Sequence, residues 1–337
     1  MTERGMKLTA ASCAHFLVDF ACAFALFRQF SDAGRGAGVL LAYNFCAFAL
    51  QMPLGLLADR WNRNLLLSAL GCLVTALGLL PLPGAACVLA LGAGNAAFHV
   101  GGGLEILTEH PDRCGALGVF VSPGALGLYF GTVLGRGALV PRSLPVFLLC
   151  AAAASLLGTQ RAFRPDFRSE NVPAALPGSS AVLWPLAALF AVVALRSVVG
   201  MGLTLDWKIG GWGFAAVCAL AAGKAAGGYL ADRFGLRRTA AVSLLGALTL
   251  FFFAAVPACG LAAVFLFNMT MPLTLHGAAR LLPGAKGFAF GLLTFALFLG
   301  FLPVYFGARF PTGAAAAGLT LATACLLLPA LGKVERT

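Results

Sequence analysis

Charge is what this sequence has least of. Its 337 residues include 23 Lys and Arg and 12 Asp and Glu, so 10% of the chain is charged while 60% is hydrophobic. The surface of a soluble domain of this length needs more charge than that, and a soluble fold is excluded. Two other absences narrow the function. There is no C-x-x-C pair among the ten cysteines. They are scattered singly, mostly within or beside apolar runs, as small apolar filling, which argues against a disulfide framework or a cysteine metal cage. There is no nucleotide-binding loop, so an ion gradient rather than a nucleotide is the expected energy source. A cleavable signal peptide is not expected either, because the first apolar run is long and contains Asp19, which a secretory h-region would avoid.

What the chain has in quantity is apolar length. Mean hydropathy is +0.92, and runs of about 20 residues, each enough to cross a hydrocarbon core, recur from end to end. They fall at roughly 7–28, 37–58, 64–83, 85–107, 115–138 and 144–160, then at roughly 181–205, 211–231, 239–257, 259–281, 287–308 and 312–331. The expected fold is an all-α polytopic membrane protein of twelve transmembrane helices. A polar stretch carrying Arg161, Arg164, Asp166, Arg168 and Glu170 divides them into an N-terminal six-helix bundle over 1–160, a cytoplasmic linker over 161–180 and a C-terminal six-helix bundle over 181–337.

The net charge of +11 comes from cations dispersed among short loops, with no basic stripe or aromatic stacking surface, so no nucleic-acid partner is expected. With the N-terminus inside, roughly 15 loop cations lie on the inner side against 6 outside, the direction of the positive-inside rule. The expected location is the cell membrane, multi-pass, with both termini cytoplasmic and the chain a monomer in lipid.

One polar phrase occurs twice. Gly55-Leu56-Leu57-Ala58-Asp59-Arg60-Trp61-Asn62-Arg63 sits between two apolar runs and returns as Gly228-Tyr229-Leu230-Ala231-Asp232-Arg233-Phe234-Gly235, followed by Leu236, Arg237 and Arg238. Asp232 stands 173 residues after Asp59, close to half the chain. Self-similarity at that offset marks two copies of one unit, and in a hydrophobic chain it points to a transporter built from repeats. At helix ends these carboxylates can accept from backbone N–H groups and neighbouring arginines, which makes Gly55, Asp59, Arg60, Arg63, Gly228, Asp232, Arg233 and Arg237 a candidate conformational latch.

A charge near the bilayer centre costs at least about 2.5–3.5 kcal/mol, so each one in an apolar run asks for a reason. His15 and Asp19 are four apart on one face of the first helix, and Asn95 and His99 repeat that spacing on the fourth, with Glu105 nearer its end. Arg196 is mid-way along the seventh, Lys224 lies on the eighth, and the tenth carries Asn268, Thr270, Thr274 and His276. Helices one, four, seven and ten hold most of these groups, as they would if they lined a shared aqueous cavity. Asn95 and Asn268 are again 173 apart.

Asp19, His15 and His99 are the candidate proton-coupling residues. A mid-depth carboxylate can change protonation as it opens to either side, because desolvation penalises the charged form and a nearby cation favours it, and imidazole titrates near neutral pH. Arg196, Asn95, His99, Asn268 and Thr270 are the candidate substrate contacts. Arg196 has a plainer alternative, a structural ion pair with Asp19 or Glu105, and Glu105 and Lys224 can snorkel to water. No metal is expected, since His15 and Asp19 have no third ligand at a matching spacing. Gly127, Gly131 and Gly135, and likewise Gly223 and Gly227, form small faces for close helix packing or sliding.

The repeated turn resembles the loop signature of the major facilitator superfamily, and in this twelve-run pattern the resemblance covers the whole chain. The second copy fits it better; the first has Asn62 where glycine is usual and Asn64 where a basic residue often stands. A narrower resemblance is to fosmidomycin-resistance-type proton-driven exporters. It is carried by His15-Phe16-Leu17-Val18-Asp19, by Gly94-Asn95-Ala96-Ala97-Phe98-His99 and by Leu281-Leu282-Pro283-Gly284. Gly124 through Gly131 occupies the place of their glycine-rich fifth-helix motif. Val100 and Gly101 stand where a proline and an acid commonly follow the histidine, so fosmidomycin is not inferred as substrate. The resemblance implies a non-enzymatic, alternating-access transporter with no cofactor, driven by a proton gradient and exporting a small organic compound, anionic or neutral. Uptake of a metabolite is the second reading, and a membrane-embedded enzyme using His15, Asp19 and His99 is a remote third.

Overall fold

A computed structural model describes residues 2–30, 33–162, 180–309 and 313–336, so all but the ends of the expected 161–180 linker lie outside the described residues. Among the described residues the chain forms twelve successive helices. They are α1 (Glu3–Gln29), α2 (Ala37–Trp61), α3 (Asn64–Gly78), α4 (Gly84–Glu109), α5 (Cys114–Arg136), α6 (Ser143–Gln160), α7 (Val182–Gly202), α8 (Gly210–Phe234), α9 (Leu236–Phe252), α10 (Pro257–Leu281), α11 (Lys286–Tyr305) and α12 (Gly313–Val334). Ten are long and apolar enough to cross a membrane. The other two, α3 with 15 residues and α9 with 17, are the short ones.

The stopping points follow from local chemistry. The expected run over 64–83 ends as helix at Gly78 because Pro81 and Pro83 follow, and the residue before a proline is pushed out of the α region. The run over 239–257 begins earlier, at Leu236, and ends at Phe252, ahead of the proline that opens α10. At the start of α1 the Thr2 hydroxyl accepts from the Gly5 N–H at 3.3 Å, with Glu3 in the first turn favoured by the helix dipole. Within α2, Phe45–Ala49 winds as a π-helical turn.

Two compact units emerge. One contains α1–α4, α6, the part of α5 from Pro123 and the start of α11 through Gly291. The other contains α7–α10, α12, the start of α5 through Ser122 and α11 from Leu292. In the first unit the glycine row of α5 is a packing face. A Cβ at Gly127, Gly131 or Gly135 would run into the carbonyl oxygens of Phe16, Phe20 and Phe24 on α1. In the second, Gly223 and Gly227 of α8 meet the carbonyls of Phe265 and Met269 on α10 in the same way. Large apolar side chains point outward, with Phe147, Val242 and Phe306 more than two-thirds exposed. This arrangement suits hydrocarbon as the solvent and satisfied helical backbones inside it. The chain is a multi-pass helical membrane protein.

Candidate functional site

Helical spacing places His15 and Asp19 on one face of α1 and Asn95 and His99 on one face of α4, and within the first unit the two faces meet. Asp19 is 7% exposed, His15 5% and Asn95 3%. His99 Nε2 lies 2.9 Å from His15 Nε2 and 3.7 Å from Asp19 Oδ1, while His15 Nε2 lies 3.3 Å from Asp19 Oδ2. The imidazoles meet edge-on at 84°.

Proton positions can be assigned from the partners. His99 Nδ1 is 2.9 Å from the Asn95 carbonyl oxygen, which can only accept, so Nδ1 carries the hydrogen and Nε2 of the neutral ring is bare. The contact between the two Nε2 atoms then requires the hydrogen to sit on His15, where Asp19 Oδ2 is a second acceptor for it. The Asn95 amide donates to Asp19 Oδ1 at 3.1 Å. The His15 Nε2 hydrogen thereby faces two acceptors, His99 Nε2 and Asp19 Oδ2. Gly124 of α5 closes the group, since a Cβ there would collide with Asp19 Oδ2 and His15 Nε2.

Nearer the start of α1 a second ionic group is buried. Lys7, 3% exposed, bonds Glu109 at 2.6 Å, Glu3 at 3.1 Å and Glu105 at 3.4 Å, and Arg4 reaches Glu109 at 3.6 Å. Glu105 therefore does not snorkel: it is 9% exposed and paired inside the first unit. Three carboxylates around one ammonium tie α1 to the end of α4.

In the second unit Arg196 is 6% exposed, and its Nη1 donates to Thr274 Oγ1 at 3.2 Å. Among the described residues of the second unit no carboxylate lies within ion-pair reach of it. The other candidates are placed differently. Thr270 is fully buried and its hydroxyl donates to the Phe267 carbonyl of its own helix. Asn268 donates to Val264 one turn back, and it lines an apolar pocket with Val199, Leu203, Lys208 and Phe267. Asn95 and Asn268 keep the same place in the two repeats, yet only Asn95 orients a carboxylate. Lys224 is half-buried, and its ammonium donates to the Val121 carbonyl at 3.2 Å.

The twin turns each cap a helix. Asp59 accepts the N–H groups of Gly287 and Phe288 at 2.7 and 2.8 Å, at the start of α11. Asp232 accepts those of Cys114 and Gly115 at 2.7 and 3.0 Å, at the start of α5. Each carboxylate satisfies two orphan donors where the helix dipole favours negative charge. Gly55 and Gly228 make room, since a Cβ at either would strike backbone at Gly287 or Cys114. The arginines are not donors here: among the described residues no guanidinium of Arg60, Arg63, Arg233 or Arg237 lies within 4 Å of either carboxylate, and Arg233 instead stacks over Phe234 at 5.3 Å.

Sequence reasoning missed the helix starts that receive these carboxylates, the Lys7 cluster, and Gly124 as the wall of the histidine site. Thr274, the hydroxyl on Arg196, was visible as a polar residue on α10 but gave no sign of its partner. Each contact joins residues far apart in the chain, which spacing along a single helix does not reveal.

No family model matches the sequence, and no curated protein matches it. Solved structures do match. One described as the major facilitator superfamily transporter FucP in the outward conformation aligns over 100% of both chains, with TM-score 0.69 and 15% identity. The E. coli fucose:proton symporter FucP aligns over 98% of this chain and 99% of its own, with TM-score 0.64 and 15% identity. A bacterial homologue of the iron transporter ferroportin, in an outward-facing state, aligns over 100% of this chain and 99% of its own, with TM-score 0.64 and 13% identity. At these identities the likeness is one of fold, and the fold is that of major facilitator transporters.

Proposed function

We propose that this protein is a proton-coupled secondary transporter working by alternating access, exporting a small organic compound across the cell membrane, with both termini in the cytoplasm. The observation that carries the coupling is the His15–Asp19–His99 cluster. A carboxylate and two imidazoles buried among membrane helices hold one His15 hydrogen between two acceptors, an arrangement able to take up and release a proton as its access to water changes. Two bundles that expose a site to each side in turn supply that change of access. No cofactor is needed, since the proton gradient is the energy source.

Arg196 is the proposed anchor for an anionic substrate. A guanidinium buried with a single hydroxyl partner among the described residues is expensive to desolvate, and an incoming anion offsets that cost. Asp59 and Asp232 serve as the latches that release when the state changes. Proton-coupled uptake is the second reading, favoured by the name of one fold neighbour, a fucose:proton symporter.

Flux into proteoliposomes under an imposed pH gradient, with a mixed panel of drugs and metabolites, tests both. Asp19→Asn is expected to abolish gradient-driven flux while the protein still elutes as a folded species; pH-driven flux that persists would sink the coupling role. Arg196→Ala is expected to weaken binding of anionic panel members by about 10-fold or more, the scale of one lost charge-assisted hydrogen bond. Equal loss for neutral members would assign Arg196 a structural role.

A further inference from the structure

The geometry points to a second ligand for the histidine cluster: we infer that His15, Asp19 and His99 form a binding site for a divalent transition-metal ion of the zinc and cobalt kind. The inference stands apart from the proton-coupling reading, because it concerns equilibrium binding and needs no transport.

Three donor atoms of the right chemistry converge. One atom from each residue lies within 4.8 Å of the others: the two Nε2 atoms are 2.9 Å apart, and Asp19 offers Oδ2 at 3.3 Å from His15 Nε2 and Oδ1 at 3.7 Å from His99 Nε2. Metal–ligand bonds of about 2.0–2.1 Å in a tetrahedron put neighbouring ligand atoms about 3.3 Å apart. The observed separations bracket that value, so a small opening of the His15–His99 contact would admit an ion. Two imidazoles and a carboxylate with a vacant fourth position are the donor set borderline divalent metals prefer, whereas calcium and magnesium call for all-oxygen sites.

The surroundings are those of a built site. His99 Nδ1 donates to the Asn95 carbonyl, which fixes the tautomer whose Nε2 lone pair faces the site. On metal binding the hydrogen of His15 moves from Nε2 to Nδ1, so that His15 Nε2 ligates as well. The Asn95 amide holds Asp19 Oδ1 at 3.1 Å, so one residue of α4 orients two of the three ligands. Asp19 brings a carboxylate into a buried site, which favours a cation. Glycine at 124 keeps side-chain atoms out of the group, since a Cβ there would collide with Asp19 Oδ2 and His15 Nε2. The imidazole of His99 is 14% exposed, which gives an approach. Spacing along the chain offers His15 and Asp19 no third ligand, whereas the fold brings one from α4, 84 residues from His15 in the chain.

Full-length protein, purified without a histidine tag and stripped with chelator, is titrated with Co²⁺ and followed by visible absorption. One Co²⁺ per chain is expected, with an intense tetrahedral ligand-field spectrum that Zn²⁺ displaces. His99→Ala and His15→Ala are each expected to weaken binding by more than about 100-fold, beyond the usual effect of a supporting residue. Gly124→Ala is expected to weaken it comparably although it removes no ligand, and Asn95→Ala by about 10–100-fold. A featureless titration, or a spectrum that survives both histidine substitutions, overturns the site. If the variants do not elute as folded protein, the wild type decides through protection of its histidines from diethyl pyrocarbonate by Zn²⁺, and lack of protection overturns the site. Metal binding without pH-driven flux would sink only the transport reading, and flux without metal binding only this one.

Discussion

Asp59 and Asp232 occupy the same place in two copies of one phrase and cap helices in the same manner, yet their surroundings differ. Asp59 is half-buried, holds both N–H groups within 2.8 Å and has Lys286 near enough to interact; Asp232 is exposed and its longer bond is 3.0 Å. The turns after them differ as well. Asn62 sits at φ 50°, ψ 40°, the left-handed α region that asparagine tolerates, whereas Gly235 sits at φ 89°, ψ 156°, a region open in practice only to glycine. So Asn62 suits the backbone of its turn as Gly235 suits the other. Backbone geometry decides which residue each turn tolerates, and burial decides how strongly each carboxylate holds.

The largest break in this symmetry should come from the packing glycine of the buried copy. Gly55→Ala drives a Cβ into the Gly287 carbonyl, and SDS-induced unfolding of the purified protein is expected to register a loss at the upper end of about 1–3 kcal/mol. Next is the turn residue. Gly235→Ala should cost about 1–3 kcal/mol, while Asn62→Ala, leaving an allowed though less favoured conformation, should cost about 1 kcal/mol at most. Equal losses would erase the distinction between the turns. Smallest is the direct comparison of the caps: Asp59→Ala should lose about 1–2 kcal/mol and Asp232→Ala about 0.5–1 kcal/mol, because water replaces the second carboxylate more readily. A reversed order would show that exposure does not set their strength.

Much of the fold was legible, for reasons that also explain the gaps. Apolar runs report spans directly because lipid tolerates little else, and so the helices begin and end within a few residues of expectation except where Pro81 and Pro257 cut α3 and α9 short. The repeated Asp–Arg phrase reported the architecture because its two copies lie in short loops. The site was legible only in halves. His15 with Asp19, and Asn95 with His99, announce themselves by a four-residue spacing, but nothing in either pair says that the two faces meet. Lys7 looked like a loop cation by position, whereas it is a buried counter-ion to Glu105 and Glu109. Arg196 was recognisable as a mid-span charge, and its contact with Thr274 was not, because that pairing is a property of packing.

The chain separations of the two caps have a consequence during synthesis. When Asp232 leaves the ribosome, its partner Cys114, 118 residues earlier, has already been made, and the cap can close as soon as the segment folds. Asp59 must wait for Gly287, 228 residues later. At about 5–20 residues per second that delay is roughly 10–45 s, during which the carboxylate that ends as the more buried of the two has no helix to cap. The nascent chain is therefore left open at one corner until α11 begins to emerge, and a stall before that point would yield a membrane-inserted intermediate with Asp59 still in water.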